Sequence, residues 1–187
     1  MDETIAVLIP IKSFNEAKER LSETLNKSER SLLMKKMAEN VINSSATLPI
    51  WVVCDDDEVA LWAESKNVSV IRTKETGLNA AVEAGVQILE KNGFSKVIIA
   101  HADLPNAENL EGCADFEGVT IVQDHKGDGT PVLVIPTQKG FRFSYGPGSF
   151  SSHTLEAKRL NLPYRQLFDS KLSFDVDEPE DLKFISD

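Results

Sequence analysis

The sequence predicts an α/β fold, a mostly parallel central sheet with helices on both faces, and three observations carry that prediction. Short runs rich in valine and isoleucine alternate with stretches of helical periodicity, and the first and fourth of those runs are apolar throughout. The length, 187 residues with 41% apolar content, suffices for one sizeable core, whereas two small domains would each be poorly covered. The chain is therefore read as one domain, residues 1–187.

The strands fall at Ile5–Ile11, Ile50–Cys54, Val68–Arg72, Val97–His101, Val119–Val122 and Val132–Ile135. After the first, Leu33, Met37 and Val41 recur at i, i+4 and i+8, so a helix that Ser28 can cap is expected. Asp55, Asp56 and Asp57 follow the second strand and precede Val59, Leu61 and Trp62. Carboxylates there can cap the next helix and complement its dipole; a metal role is the alternative. Leu78, Val82, Val86 and Leu89 form another helical stripe, read as core. From Gly127 to Ser152 glycines at 127, 129, 140, 146 and 148 punctuate a segment with little helical periodicity. That segment is expected to be a small excursion of β-structure and loops laid over one end of the sheet.

A formal net charge of −10 argues against broad attraction to nucleic acid or anionic membrane, both being polyanions. The N-terminal Met1-Asp2-Glu3-Thr4 lacks a basic region, and the apolar run Ile5–Ile11 is short and contains proline, so a cytoplasmic protein is expected. Cys54 and Cys113 stand far apart and outside any metal-ligand spacing, and are read as small buried residues.

Four constellations could carry chemistry. Beyond the first strand, Pro10-Ile11-Lys12 and then Lys18 and Arg20 gather positive charge in an acidic chain, at the sheet edge where α/β proteins bind ligands. Phosphates are the natural partner, although neither a Walker loop nor a dinucleotide fingerprint is present and a solvated basic patch is the bland reading. The fourth strand ends in His101-Ala102-Asp103-Leu104-Pro105; Pro105 cannot extend the ladder, which leaves Asp103 at the carboxyl edge, where a magnesium carboxylate belongs. His101 faces the same way as Asp103 and is read as structural. Asp175 and Asp177 share one face of an extended segment and could grip a cation together. Pro179 suits a first helical position, so Asp177 or Glu178 can equally be its cap. Lastly, Gly127-Asp128-Gly129-Thr130 and Tyr145-Gly146-Pro147-Gly148-Ser149-Phe150 offer backbone N–H groups and hydroxyls suited to an anion, with hairpin turns as the alternative and no role assigned to His153.

Taken in order, I-P-I-K…A-K-E-R-L, V-V-C-D-D, G-L-N-A-A, A-D-L-P, G-D-G-T, Y-G-P-G-S-F-x-x-H and D-V-D-E-P-E-D-L resemble the guanylyltransferases of deazaflavin coenzyme (F-420) biosynthesis. That family acts on 2-phospho-L-lactate or phosphoenolpyruvate and belongs to the MobA-like nucleotidyltransferase superfamily. The resemblance implies a Rossmann-like nucleotidyltransferase fold, with GTP held by Pro10, Lys12, Lys18 and Arg20 and by the turn of Gly77, Leu78 and Asn79. It further implies Mg2+ on Asp103, Asp175 and Asp177, and the phosphorylated acid near Thr130, Gly146 and Ser149. Gly129-Thr130-Pro131 stands where the family commonly has G-T-N, and Asp177-Glu178-Pro179 where it has D-T-P; the first departure touches the expected acceptor pocket.

The reaction so implied is attack by an acceptor phosphate oxygen on the α-phosphorus of GTP, with Lys12, Lys18 and Asp103 in the catalytic roles and no protein nucleophile. The rivals are a relative using another nucleotide or acceptor, such as 3-phosphoglycerate, a molybdopterin or a sugar-like phosphate, and a non-catalytic nucleotide-binding module. The sequence leaves the oligomeric state open, a homodimer included.

Overall fold

The computed structural model describes residues 4–16, 18–45 and 47–185; the Met1-Asp2-Glu3 terminus and Ala17 of the first motif lie outside the described residues. One sheet contains β1 (Ile5–Pro10), β2 (Ile50–Cys54), β3 (Ser69–Arg72), β4 (Lys96–Ala100), β5 (Val119–Val122), β6 (Val132–Pro136) and β7 (Tyr164–Leu167). Its order is β3-β2-β1-β4-β6-β5-β7, with β6 antiparallel to both neighbours and the other pairings parallel.

Pleating sends Val7 and Ile9 of β1, with Ile98 and Ala100 of β4, into one core, and Ala6, Leu8, Val97 and Ile99 into the other. The first core is closed by α1 (Lys27–Asn43) and α2 (Asp57–Ser65), the second by α3 (Leu78–Lys91) and α4 (Ser149–Arg159). Burying a Val, Ile or Leu side chain contributes about 1.5–3 kcal/mol. The fully covered β1 and β4 are therefore the most firmly held strands, and the site hangs from their ends. Gly85 lets α3 lie against β1: a Cβ there would meet Leu8 Cδ2 at 2.8 Å.

Several expectations need adjustment. Asn26, not Ser28, caps α1, because its side chain accepts from the Glu29 N–H while the Glu29 carboxylate reaches back to the Asn26 N–H. Asp56 caps α2, which gives the aspartate triplet its helix-start role. Leu78 is not core; it stands 38% exposed at the start of α3, on the wall of the cleft described below. Within the 127–152 excursion, β6 lies inside the sheet between β4 and β5 rather than over its end. The edge strand β7 (Tyr-Arg-Gln-Leu) has no apolar run to announce it, since an edge covered on one side needs none.

Candidate active site

After β1 the chain runs through β2 and β3 on one side of it and then returns to β4 on the other. The carboxyl ends of β1 and β4 therefore flank a topological switch point, the crevice where open α/β sheets take ligands. A cavity of about 640 Å³ lies there, lined among others by Lys12, Lys18, Arg20, His101, Asp103 and Asp177. A second cavity, of about 360 Å³, adjoins it along Pro10, Lys12 and Leu78 and extends to Asp55, Glu75 and Gly77.

The loop after β1 is anchored by two apolar residues. Phe14 is buried edge-on against Trp62 at 5.0 Å between centroids, and Leu21 is fully buried. Lys12, Glu16, Lys18, Glu19 and Arg20 around them line the cleft. Lys12 is exposed and, among the described residues, pairs with Glu16 at 3.1 Å, and Arg20 is exposed 3.9 Å from Glu178, so both charges stay available to a ligand. Lys18 differs. Its side chain is 9% exposed, and its ammonium donates to Asp103 Oδ2 at 2.6 Å and to Asp177 Oδ1 at 2.9 Å.

Asp103 follows β4, whose direction the His101 N–H continues by donating to the Pro131 carbonyl at 2.9 Å. The C-terminal segment then docks on it: the Val176 N–H donates to the Asp103 carbonyl, and Val176 itself is fully buried. With Val176 turned inward, Asp175 and Asp177 face the cleft side together, as the i, i+2 spacing requires. Carboxylate oxygens of Asp103, Asp175 and Asp177 lie within 4.8 Å of one another. The cap question is settled by Asp181, whose Oδ2 accepts the N–H groups of Asp177 and Glu178 at 2.9 and 2.8 Å, with Glu178 as the cap residue of the turn Pro179–Phe184. The Asp177 carboxylate is thereby left to the cleft.

Burial and charge set the protonation states. Burial alone would lower the Lys18 pKa, but Asp103 and Asp177 outweigh it and the ammonium is held well above its ordinary value. Burial opposes ionisation of Asp103, yet the Lys18 ammonium brings its pKa below the usual carboxylate range. Asp175 goes the other way: burial, then Asp103 and Asp177, push it up to about 6. His101 is lowered by burial and so is neutral. Among the described residues, Asp103 Oδ1 and Asp175 Oδ1 are buried without a hydrogen-bond partner. Three converging carboxylates, two oxygens unpartnered and a cation already between two of them, fit a hard divalent ion, which takes oxygen ligands.

The glycine loops meet beside this cluster. The Asp128 carboxylate accepts the Gly148 N–H at 2.9 Å, and its carbonyl accepts the Phe150 N–H, which ties the 127–130 loop to the start of α4. His153, fully buried, accepts the Ser144 N–H on Nε2 and so donates from Nδ1 to the Thr130 hydroxyl, both at 3.1 Å. Burial lowers its pKa to about 4. Thr130, Gly146 and Ser149 are thus brought into one loop cluster, whose Tyr145 ring lies tilted at 46° to the His101 ring with 5.2 Å between centroids. None of the three lines the larger cavity. Asn79 is tied to the Tyr145 loop: its amide donates to the Tyr145 carbonyl at 3.1 Å and accepts the Tyr145 N–H at 2.6 Å. It thereby clamps the loop to the start of α3.

Two participants had no signal in the sequence. His125, whose Nδ1 lies 3.3 Å from Asp175 Oδ1, sits in a loop without periodicity, and the Asp181 clamp looks like any acidic residue of a helical first turn.

The family described as guanylyl transferase CofC like matches residues 5–186. A 2-phospho-L-lactate guanylyltransferase of Methanosphaera stadtmanae is 35% identical over 187 residues, covering 95% of this chain and 82% of that one. A phosphoenolpyruvate guanylyltransferase of Chloroflexus aggregans is 30% identical over 192 residues, covering 96% and 95%. Among solved structures, a 4-diphosphocytidyl-2C-methyl-D-erythritol synthase from Anaerococcus prevotii superposes with a TM-score of 0.64 at 10% identity, covering 98% and 96%; at that identity the likeness is one of fold, a nucleotidyltransferase fold.

Proposed function

Because this chain belongs to the family of CofC-like guanylyl transferases, we propose that its cleft transfers GMP from GTP to the phosphate of a small phosphorylated acid, 2-phospho-L-lactate or phosphoenolpyruvate. An acceptor phosphate oxygen forms the new bond to the α-phosphorus. The bond from that phosphorus to the α,β-bridging oxygen breaks, and pyrophosphate leaves with the bonding pair. The acceptor phosphate is already ionised near neutral pH, so the protein supplies alignment and charge neutralisation rather than a base. On this reading the step belongs to the assembly of a deazaflavin coenzyme, in the cytoplasm.

The observation that carries the reading is the carboxylate triad at the switch point, two of whose members hold Lys18. Asp103, Asp175 and Asp177 would hold Mg2+, which when bound neutralises phosphate charge and orients the triphosphate. Lys12, Lys18 and Arg20 meet the phosphates, while Pro10, Gly77 and Leu78 wall the adjoining cavity, whose size and position suit the guanosine. Asn79 positions the Tyr145 loop, and the cluster of Thr130, Gly146 and Ser149 receives the acceptor beside His101. Pro131 keeps the carbonyl that His101 uses, so this departure from the family pattern leaves the strand end intact.

The test offers the protein GTP, ATP, CTP and UTP with magnesium against 2-phospho-L-lactate, phosphoenolpyruvate and 3-phosphoglycerate, following pyrophosphate release. Release is expected with GTP and one of the first two acids. Silence across the grid from folded protein overturns the reading.

A further inference from the structure

The three histidines of this chain use their rings differently. His153 spends both nitrogens inside the protein, on the Ser144 N–H and the Thr130 hydroxyl, and His125 faces the Asp175 carboxylate at 3.3 Å. The His101 ring makes no hydrogen bond among the described residues, and its Nε2 is buried. Buried polar atoms are nearly always paired, so one that no protein group satisfies points to a ligand. Packing, rather than hydrogen bonding, fixes this ring: it lies against Tyr145, which in turn meets the His153 ring edge-on at 4.8 Å.

The place of His101 in the fold says which ligand. Its side chain lines the larger cavity, two residues before Asp103. Its backbone N–H donates to the carbonyl of Pro131, next to Thr130, and its ring packs on Tyr145, next to Gly146. His101 therefore stands at the seam between the end of the cleft that gathers Lys12, Lys18 and Arg20 and the loops that offer hydroxyl and backbone donors. Pro131 brings neither an N–H nor a polar side chain to those loops. A small phosphorylated acid has two anionic ends, and this seam divides them: the cations suit the phosphate, and the uncharged donors suit the carboxylate.

We propose that His101 is a specificity-determining contact for the acceptor, its imidazole N–H donating to the acceptor carboxylate while the acceptor phosphate turns toward Lys18 and the nucleotide. This deepens the reading of the cleft as a guanylyl-transfer site and rests on it. An imidazole carries an N–H in either protonation state, so the contact requires no titration. A hydrogen bond to a carboxylate is charge-assisted and directional. A site built around it rejects a phosphate ester that lacks the carboxylate.

Two measurements test this. In the first, His101→Phe keeps a ring against Tyr145 and removes the N–H, and His101→Gln restores a donor. KM for the phosphorylated acid should rise about tenfold or more in His101→Phe, stay within about twofold for GTP, and return toward wild type in His101→Gln. In the second, wild-type protein carries 15N in its histidine rings and is saturated with magnesium and a GTP analogue bearing a methylene bridge between the α and β phosphorus. Whichever of 2-phospho-L-lactate and phosphoenolpyruvate the wild type turns over should then shift the His101 ring signals, identified by their loss in His101→Gln. Ethyl phosphate, which has no carboxylate, should leave them in place. Unmoved ring signals with an acid that is turned over, an equal shift with ethyl phosphate, or a KM for the acid unchanged in folded His101→Phe overturns this inference and leaves guanylyl transfer standing. A rise in both KM values that His101→Gln does not reverse makes the ring structural and overturns it too. Absence of pyrophosphate release from folded wild-type protein with either acid overturns both readings.

Discussion

Burial and the carboxylates of Asp103 and Asp177 push Asp175 up to about 6, so in metal-free protein at neutral pH this side chain is ionised against its surroundings. The sign follows from linkage: a folded pKa above the unfolded value of about 3.9 means stability that is full below that value and lost as pH rises through about 6. Asp175→Asn should therefore raise the melting temperature of metal-free protein more at pH 7.5 than at pH 5, while abolishing its stabilisation by metal and nucleotide. Thermal melts at the two pH values decide it; an equal shift at both would mean that Asp175 carries no such burden. Asp103 is the opposite case, an ionised carboxylate held by Lys18. Asp103→Asn should lower kcat by about a hundredfold or more, as loss of preorganised charge at a phosphoryl centre does. Its circular dichroism should stay native. Near-normal turnover in the folded variant would remove Asp103 from the metal site.

At the scale of elements, the loop from Arg142 to Gly148 has no strand ladder of its own and is held by side chains from α3 and α4. Asn79→Ala leaves the buried Tyr145 N–H and carbonyl unpaired, at a cost of about 1–3 kcal/mol. If the clamp serves the acceptor side, KM for the phosphorylated acid should rise several-fold while KM for GTP changes little. A larger effect on GTP would return Asn79 to the nucleotide. His153 holds the same loop only while neutral. Its pKa of about 4 lies below the ordinary histidine value, so the stability it contributes is present above about 6.5 and fades as pH falls toward 4. The Asn79 clamp was not legible in the sequence, because it acts on backbone groups 66 residues away; His153 acts on a backbone group only nine residues away, but nothing in the sequence marks its ring as turned inward. The caps were partly legible: a strand followed by three aspartates marks the start of α2, but Asn26 and Ser28 are both good caps, and only the reach of the Glu29 side chain selects the first.

For the whole molecule, the central strands were legible because two-sided burial writes an unbroken apolar run, and with them the place of Lys12 and Asp103. The other two members of the triad were not legible from physics alone: Asp175 and Asp177 reach the end of β4 by a backbone contact across some seventy residues, Val176 N–H to Asp103 carbonyl, and spacing could not tell ligand from cap. That connection makes the C-terminal segment a covalent tether for two of the three carboxylates of the proposed metal site. Ending the chain after Ser170 would leave the strands and α1 to α4 in place and remove Asp175 and Asp177 together with Leu172 and Val176, both buried in the first core. Losing two such side chains costs about 3–6 kcal/mol by transfer free energy alone. The truncated chain should keep the far-ultraviolet circular dichroism of the full chain at low temperature, melt many degrees lower, and lose all guanylyl transfer. Val176→Ala separates the two losses. It should cost stability through a cavity while retaining both carboxylates, so GTP and Mg2+ together should still raise its melting temperature, as ligands that bind only the folded state must. If the truncated chain were stabilised equally by GTP and Mg2+, the C-terminal segment would be packing alone, and the metal would rest on Asp103 without its partners.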